Sequence, residues 1–246
     1  LNAHSNIRHT IRVKGGTAVI NGGTYKADGN STYHVVNISH AANVTIHGGT
    51  FISNEGNSAA GGNAVMIQDA ASIVNIYGGD FSNASGPEGS LCAAAGLKIY
   101  GGSFDTWNYD NYLAEGKVVS INAERYVVAD AIVVNTTTEE HYGTLQAAID
   151  AANANDTIKL LDNITINAED GKPETHAWVK DGQNVVIDLN GFAVDGAFFI
   201  NGTATIKNGK IENKNLVSGV ETQGNLTLEN MTIVSDRHAV RISGGK

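Results

Sequence analysis

Hydrolysis of a sugar chain needs two carboxylates held roughly 5–9.5 Å apart, one to supply a proton and one to attack or to activate water. Asp188, between Ile187 and Leu189, and Asp195, after a turn, come nearest to that pattern, with Glu212 and Glu229 as further candidates. Asp80 stands where related segments carry Thr or Ser, so it reads as a turn variant. No Asp or Glu is read as recurring at one register on successive repeats. The expectation is therefore a non-enzyme with no catalytic residue. In NAEDGKPE (167–174), Glu169, Asp170 and Glu174 flank Gly171. Three carboxylates fall short of a full calcium oxygen set, so a solvated acidic loop and no metal are expected. The eight His are not at ligand spacing, and no cofactor is expected. Trp107, Tyr109 and Tyr112 cluster, while Trp178 lies apart in a loop. Aromatic faces bind sugars and also anchor interfaces. The expectation is that these four cover a junction between folded segments, with ligand binding as the alternative.

Such residues need a scaffold, and the scaffold is written in repeats. AVINGGTY from Ala18, VTIHGGTF from Val44, VNIYGGDF from Val74 and LKIYGGSF from Leu97 share one pattern, and their Gly pairs are 26, 30 and 23 residues apart. A period of 20–50 residues indicates a solenoid, propeller or array. Apolar and polar residues alternate before each Gly pair, which is strand behaviour, and the pair itself reads as a corner because Gly reaches positive φ freely. An aromatic follows each corner (Tyr25, Phe51, Phe81, Phe104) and can stack inside on its counterpart one coil away. Runs such as HVVNIS (34–39) and AVMIQ (64–68) add another strand per coil. The pattern is that of an all-β parallel β-helix, each coil advancing by about 4.8 Å. A β-sandwich is the rival, since Asn190-Gly191, Asn201-Gly202 and Asn208-Gly209 could form hairpins. Their coil-like spacing favours the solenoid.

The pattern breaks after residue 105 and resumes later. KVVSI and RYVVA read as short strands of a junction over 117–140. In TLQAAIDAAN, Leu145, Ala148, Ile149 and Ala152 form one helical stripe, so a short α-helix near 143–154 is expected to cap the solenoid segment that follows. Strands return in TIKLL, NVVIDLNGFAV, ATIKNGKIEN and NLTLENMTIVS. Finally, RHTIRVKGGT at 8–17 returns as RHAVRISGGK at 237–246, an offset of 229 with both Arg, the His and both Gly identical. The division expected is 1–116 as the end of one β-helix unit, 117–140 as junction, and 141–246 as the start of the next.

Sixteen basic residues against 25 acidic ones, spread thinly, do not make a nucleic-acid surface. No apolar run is long enough to span a membrane. Cys92 is the single cysteine, so no intrachain disulfide is expected. The first residues show no initiator Met and no signal-peptide pattern, which reads as a mature or excised segment. Sequons at Asn43, Asn83, Asn163, Asn225 and Asn230 read as the Asn/Thr-rich strand alphabet.

On the GG coils, on YLAEGKVV…RYVV (112–128) and on YGTLQAAIDAANANDTIKLLDNITI (142–166), the chain resembles the repetitive β-helix surface proteins of Gram-positive, often gut-dwelling bacteria. The resemblance implies right-handed parallel β-helices, secretion and a place on the cell surface, in a family called adhesins by analogy. The function expected is a non-enzymatic, extracellular structural or adhesive repeat protein forming a stiff rod or fibre. Its partners would be neighbouring copies joined end to end, or surface glycans and proteins. The alternative is a polysaccharide lyase, glycoside hydrolase or glycan-binding module on the same fold.

Overall fold

A computed structural model describes residues 2–5, 9–27, 33–53, 62–83, 89–214 and 217–244. Among the described residues the chain is mostly β-strand with one short α-helix, and it divides into two compact units, Leu1–Ala129 and Asp130–Lys246. Among the described residues no helix is long and apolar enough to cross a membrane.

Unit 1 opens with β1 (Asn2–Ser5) and then repeats a three-strand layer. The layers are β2 (Ile11–Lys14), β3 (Thr17–Ile20) and β4 (Thr24–Ala27); β5 (Val36–Ser39), β6 (Asn43–Ile46) and β7 (Thr50–Ser53); β8 (Val65–Ile67), β9 (Ile73–Ile76) and β10 (Asp80–Asn83); and β11 (Leu91–Cys92), β12 (Leu97–Ile99) and β13 (Gly102–Phe104). Each strand pairs in parallel with its counterpart in the next layer, giving the orders β2-β5-β8-β11, β3-β6-β9-β12 and β1-β4-β7-β10-β13. This pairing excludes the antiparallel sandwich. Register places like on like: Val44, Val74 and Leu97 align, as do Ile46, Ile76 and Ile99, and all are buried. The aromatic positions also align. Tyr25, Phe51, Phe81 and Phe104 stack with centroids 5.2, 4.9 and 5.1 Å apart.

The two glycines of a corner differ in what they require. The second (Gly49, Gly79, Gly102) has φ near +120, where a side chain strains the backbone. In the last two corners the first is a close approach: a Cβ on Gly78 would lie 2.8 Å from the His47 carbonyl oxygen of the preceding layer, and one on Gly101 2.4 Å from that of Tyr77, whereas Gly22 and Gly48 have room for one.

The stretch expected as a junction is shared between the units. β14 (Lys117–Asn122) and β15 (Arg125–Asp130) close the last layer of unit 1, with β15 running antiparallel to β13. The Arg125 guanidinium holds that closure in place, donating to Asp80, to Ser103 Oγ and to the Phe81 and Ser103 carbonyls.

Unit 2 begins with β16 (Val133–Asn135), β17 (Glu140–Tyr142) and α1 (Leu145–Ala151). The helix starts at Thr144, whose Oγ1 accepts from the Ala147 N–H, and it buries Leu145, Ala148 and Ile149. The layers follow: β18 (Asp156–Leu160), β19 (Ile164–Thr165) and β20 (Ala177–Val179); β21 (Asn184–Asp188), β22 (Ala193–Asp195) and β23 (Phe198–Ile200); β24 (Thr203–Asn213) and β25 (Val220–Thr222); and β26 (Asn225–Ser235) and β27 (Val240–Ile242). β24 is long enough to pair with β21 through its first half and with β22 through its second. The Asn-Gly pairs are bends within this parallel stack, not hairpins. Asn190, Asn208 and Asn230 all adopt left-handed φ, and Asn230 Nδ2 donates to Asn208 Oδ1. The helix packs its buried face against the core of unit 2 beside the first layer. Gln146 gives the free edge of β20 both halves of a ladder bond, accepting from the Trp178 N–H and donating to the Trp178 carbonyl.

Candidate functional site

The three aromatics of unit 1 form a cover, not a platform. Tyr109 is buried, and its hydroxyl accepts from the Leu91 N–H at 2.9 Å and donates to the Leu91 carbonyl. Trp107 stands edge-on to Phe104 and Tyr109, with Nε1 donating to Asp110. Tyr112 packs against the same core. Together they seal the last ring of the Tyr25–Phe104 stack. The aromatic faces are spent on the fold.

Trp178 is on strand β20, where a loop had been expected. Register places Trp178, Phe199, Glu221 and Arg241 in one outward row across β20, β23, β25 and β27. The acidic loop expected at 167–174 crosses this row. A short 3-10 turn at Pro173–Thr175 brings His176 against Phe199, with ring centroids 6.2 Å apart. Two of the loop's three carboxylates are engaged: Lys172 pairs with Glu169 and Arg237 with Asp170, both at 2.5 Å. The concavity beneath, bounded by Lys172, His176, Phe199, Glu221 and Arg241, holds about 230 Å³. That is below the usual range for small-molecule pockets. Lys180 lies over the Trp178 ring at 5.6 Å and occupies the aromatic face a sugar would use.

The expectation about carboxylate register needs correction. Asp195 and Glu212 are direct register partners on β22 and β24, so two acids do recur at one register. The turn at Asn208-Gly209 shortens the route between these layers, so sequence spacing concealed the match. Lys210 donates to Glu212 at 2.5 Å and holds its carboxyl below the ordinary value. A general acid needs the opposite shift. Asp188 is a turn acceptor, taking hydrogen bonds from the Asn190 N–H and from Asn208 Nδ2. Glu229 is separated from it by Lys207 in the same register.

Two features escaped sequence reasoning. The residue before each Gly pair forms an outward row in which His47, Tyr77 and Tyr100 stack at 5.2 and 4.5 Å. Its signal was present in the three phrases ending H-GG or Y-GG. The other is a histidine stack: His9 and His34 lie parallel at 5.3 Å, and each Nδ1 accepts a backbone N–H from the following layer, His34 from Asn63 and His9 from His34. Burial, and then the neighbouring His9, lower the His34 pKa to about 4. Comparisons of the chain with protein-family models, with curated proteins and with solved structures found no match.

Proposed function

We propose that the chain is a non-catalytic structural and adhesive repeat protein, built from two right-handed parallel β-solenoid segments and displayed outside the cell. The observation that carries this reading is the in-register ladder of unit 1, where Val44/Val74/Leu97, Ile46/Ile76/Ile99 and Phe51/Phe81/Phe104 align layer upon layer. Such stacks cannot bury one layer alone and gain stability from every neighbour, so they make stiff spacers. The side chains that could have formed a binding or catalytic centre are engaged in the same structure. Trp107 and Tyr109 seal a core, Trp178 is covered by Lys180, and Glu212 is paired with Lys210. Partners of this reading are other copies of the chain and surface glycans or proteins met along the outward rows.

Antibodies to the chain should label unpermeabilised cells of the organism that makes it. Labelling only after permeabilisation contradicts an extracellular place. Incubation with a panel of plant, mucin and bacterial polysaccharides should release no new reducing ends or unsaturated products. Release of either contradicts the non-catalytic reading.

A further inference from the structure

The last layer of unit 2 exposes side chains that the register directs inward. Val240 and Ile242 on β27 pair with the buried Val220 and Thr222 of β25, yet they are 36% and 75% exposed. Beside them, Leu226 and Leu228 on β26 lie over the buried Ala204 and Ile206 and are themselves only partly covered. These four residues line a concavity of about 450 Å³. β27 ends its sheet, so one edge of its backbone has no strand beside it among the described residues. The same holds for the first half of β26. The N–H of Asn225 turns back toward Gly202, so the groups of Leu226 and Leu228 face the open side.

Unit 1 carries the complementary edge. β2 and β3 are terminal in their sheets. The carbonyls of Gly16 and Ile20 accept from Asn43 and His47 in the next layer, so Thr17 and Val19 turn their backbone groups to the vacant side. The sequence match between 8–17 and 237–246 puts Val240 at the place of Ile11, and the structure agrees in phase. Ile11 donates to the Val35 carbonyl of the following layer, and Val220, in register with Val240, donates to the Ala239 carbonyl of the layer that follows it. Both side chains face the core. In unit 1 the strand that follows this segment is β3, Thr17–Ile20. The correspondence begins at β2: Ala3 packs on the core, whereas Thr232, at the same offset, is on the outward face of β26.

We propose that the groove at the end of unit 2 receives the Thr17–Ile20 strand of a second copy of this chain, whose β1 and β2 detach from β4 and β5 so that β26 and β27 of the first copy take their seats. Ala18 and Ile20 then cover Leu226 and Leu228. Val240, Arg241 and Ile242 replace Ile11, Arg12 and Val13, and His238 takes the place of His9 over His34. The ladder of one copy continues into the next. Because the two surfaces differ, each copy keeps a donor and an acceptor end, and addition repeats head to tail. The proposal rests on the ladder-built structural reading above and adds its partner and its joint.

The test is the mass of the 246-residue protein by sedimentation across a wide concentration range, after long incubation. The wild type should rise from 25.7 kDa in a continuing series. Val19→Pro removes an N–H only on the open edge of β3, a position where proline is tolerated. Ile242→Lys is harmless on the exposed end but places a charge inside the joint. Each variant should keep the wild-type circular dichroism and associate at least about a hundredfold more weakly. A wild type that stays at 25.7 kDa throughout, or variants that associate as it does, overturns the proposal. A folded monomer overturns only this joint, whereas polysaccharide cleavage overturns the structural reading.

Discussion

Replacing Phe81 by alanine removes one of the two inner rings of a four-ring stack. The side chain is 0% exposed and lies 4.9 Å from Phe51 and 5.1 Å from Phe104. A buried Phe→Ala change costs about 3–5 kcal/mol in transfer and cavity terms. Each lost ring pair adds about 0.5–1.5 kcal/mol. The total is about 4–6 kcal/mol once partial collapse of the cavity is allowed, against a net stability of about 5–15 kcal/mol for an ordinary domain. Unit 1 should therefore become marginal. Trp107 packs against Phe104, so its fluorescence in a Trp178→Phe background reports unit 1. Denaturant unfolding read this way should move to much lower midpoints in Phe81→Ala. Tyr77→Ala, in the outward row and 47% exposed to begin with, should cost only about 1 kcal/mol. Equal shifts for the two variants, or a Phe81→Ala loss under about 1 kcal/mol, would refute the claim that the inner stack holds the layers together.

The histidine stack predicts acid sensitivity. His34 titrates near 4 in the fold and near 6.5 when free, so the unfolded chain binds more protons between those values. Stability from this residue is fully present above pH 6.5 and falls as pH drops toward 4, by at most about 3 kcal/mol; thermal unfolding of His34→Gln should lose that slope. Gly79→Ala combines a φ of +124 with a Cβ 3.0 Å from the Phe81 ring and 3.2 Å from the Gly49 carbonyl oxygen, and should cost about 2–3 kcal/mol. Gly116→Ala, with φ +72 and open space around it, should cost about 1 kcal/mol, and melting temperatures that rank the two the other way would count against the corner geometry.

The layered part of the fold was legible because each phrase fixes its own geometry. The second Gly of each pair takes positive φ, and the aromatic two residues on then points inward. The helix was legible from Leu145, Ala148 and Ile149 on one stripe. Direction was not. RYVVA reads as a strand, but nothing local shows that β15 turns back antiparallel onto β13; the Arg125 contacts that hold it come from residues 22 and more positions away. The Asp195–Glu212 register was hidden for a related reason, since loop lengths between layers vary and spacing alone cannot align outward residues. Trp178 was placed in a loop because its neighbours Ala177 and Val179 make too short a run to read as a strand without β23 beside them.

The central claim is that successive layers pair in parallel and in register. Amide–amide contacts by nuclear magnetic resonance in perdeuterated, amide-protonated protein test it most directly. From β6 to β9 the partners run from Asn43↔Ile73 to Ile46↔Ile76, so cross-strand contacts should keep a constant separation of 30 residues along the strand. Contacts in which one residue number rises as the other falls would mean antiparallel pairing, and would contradict the account.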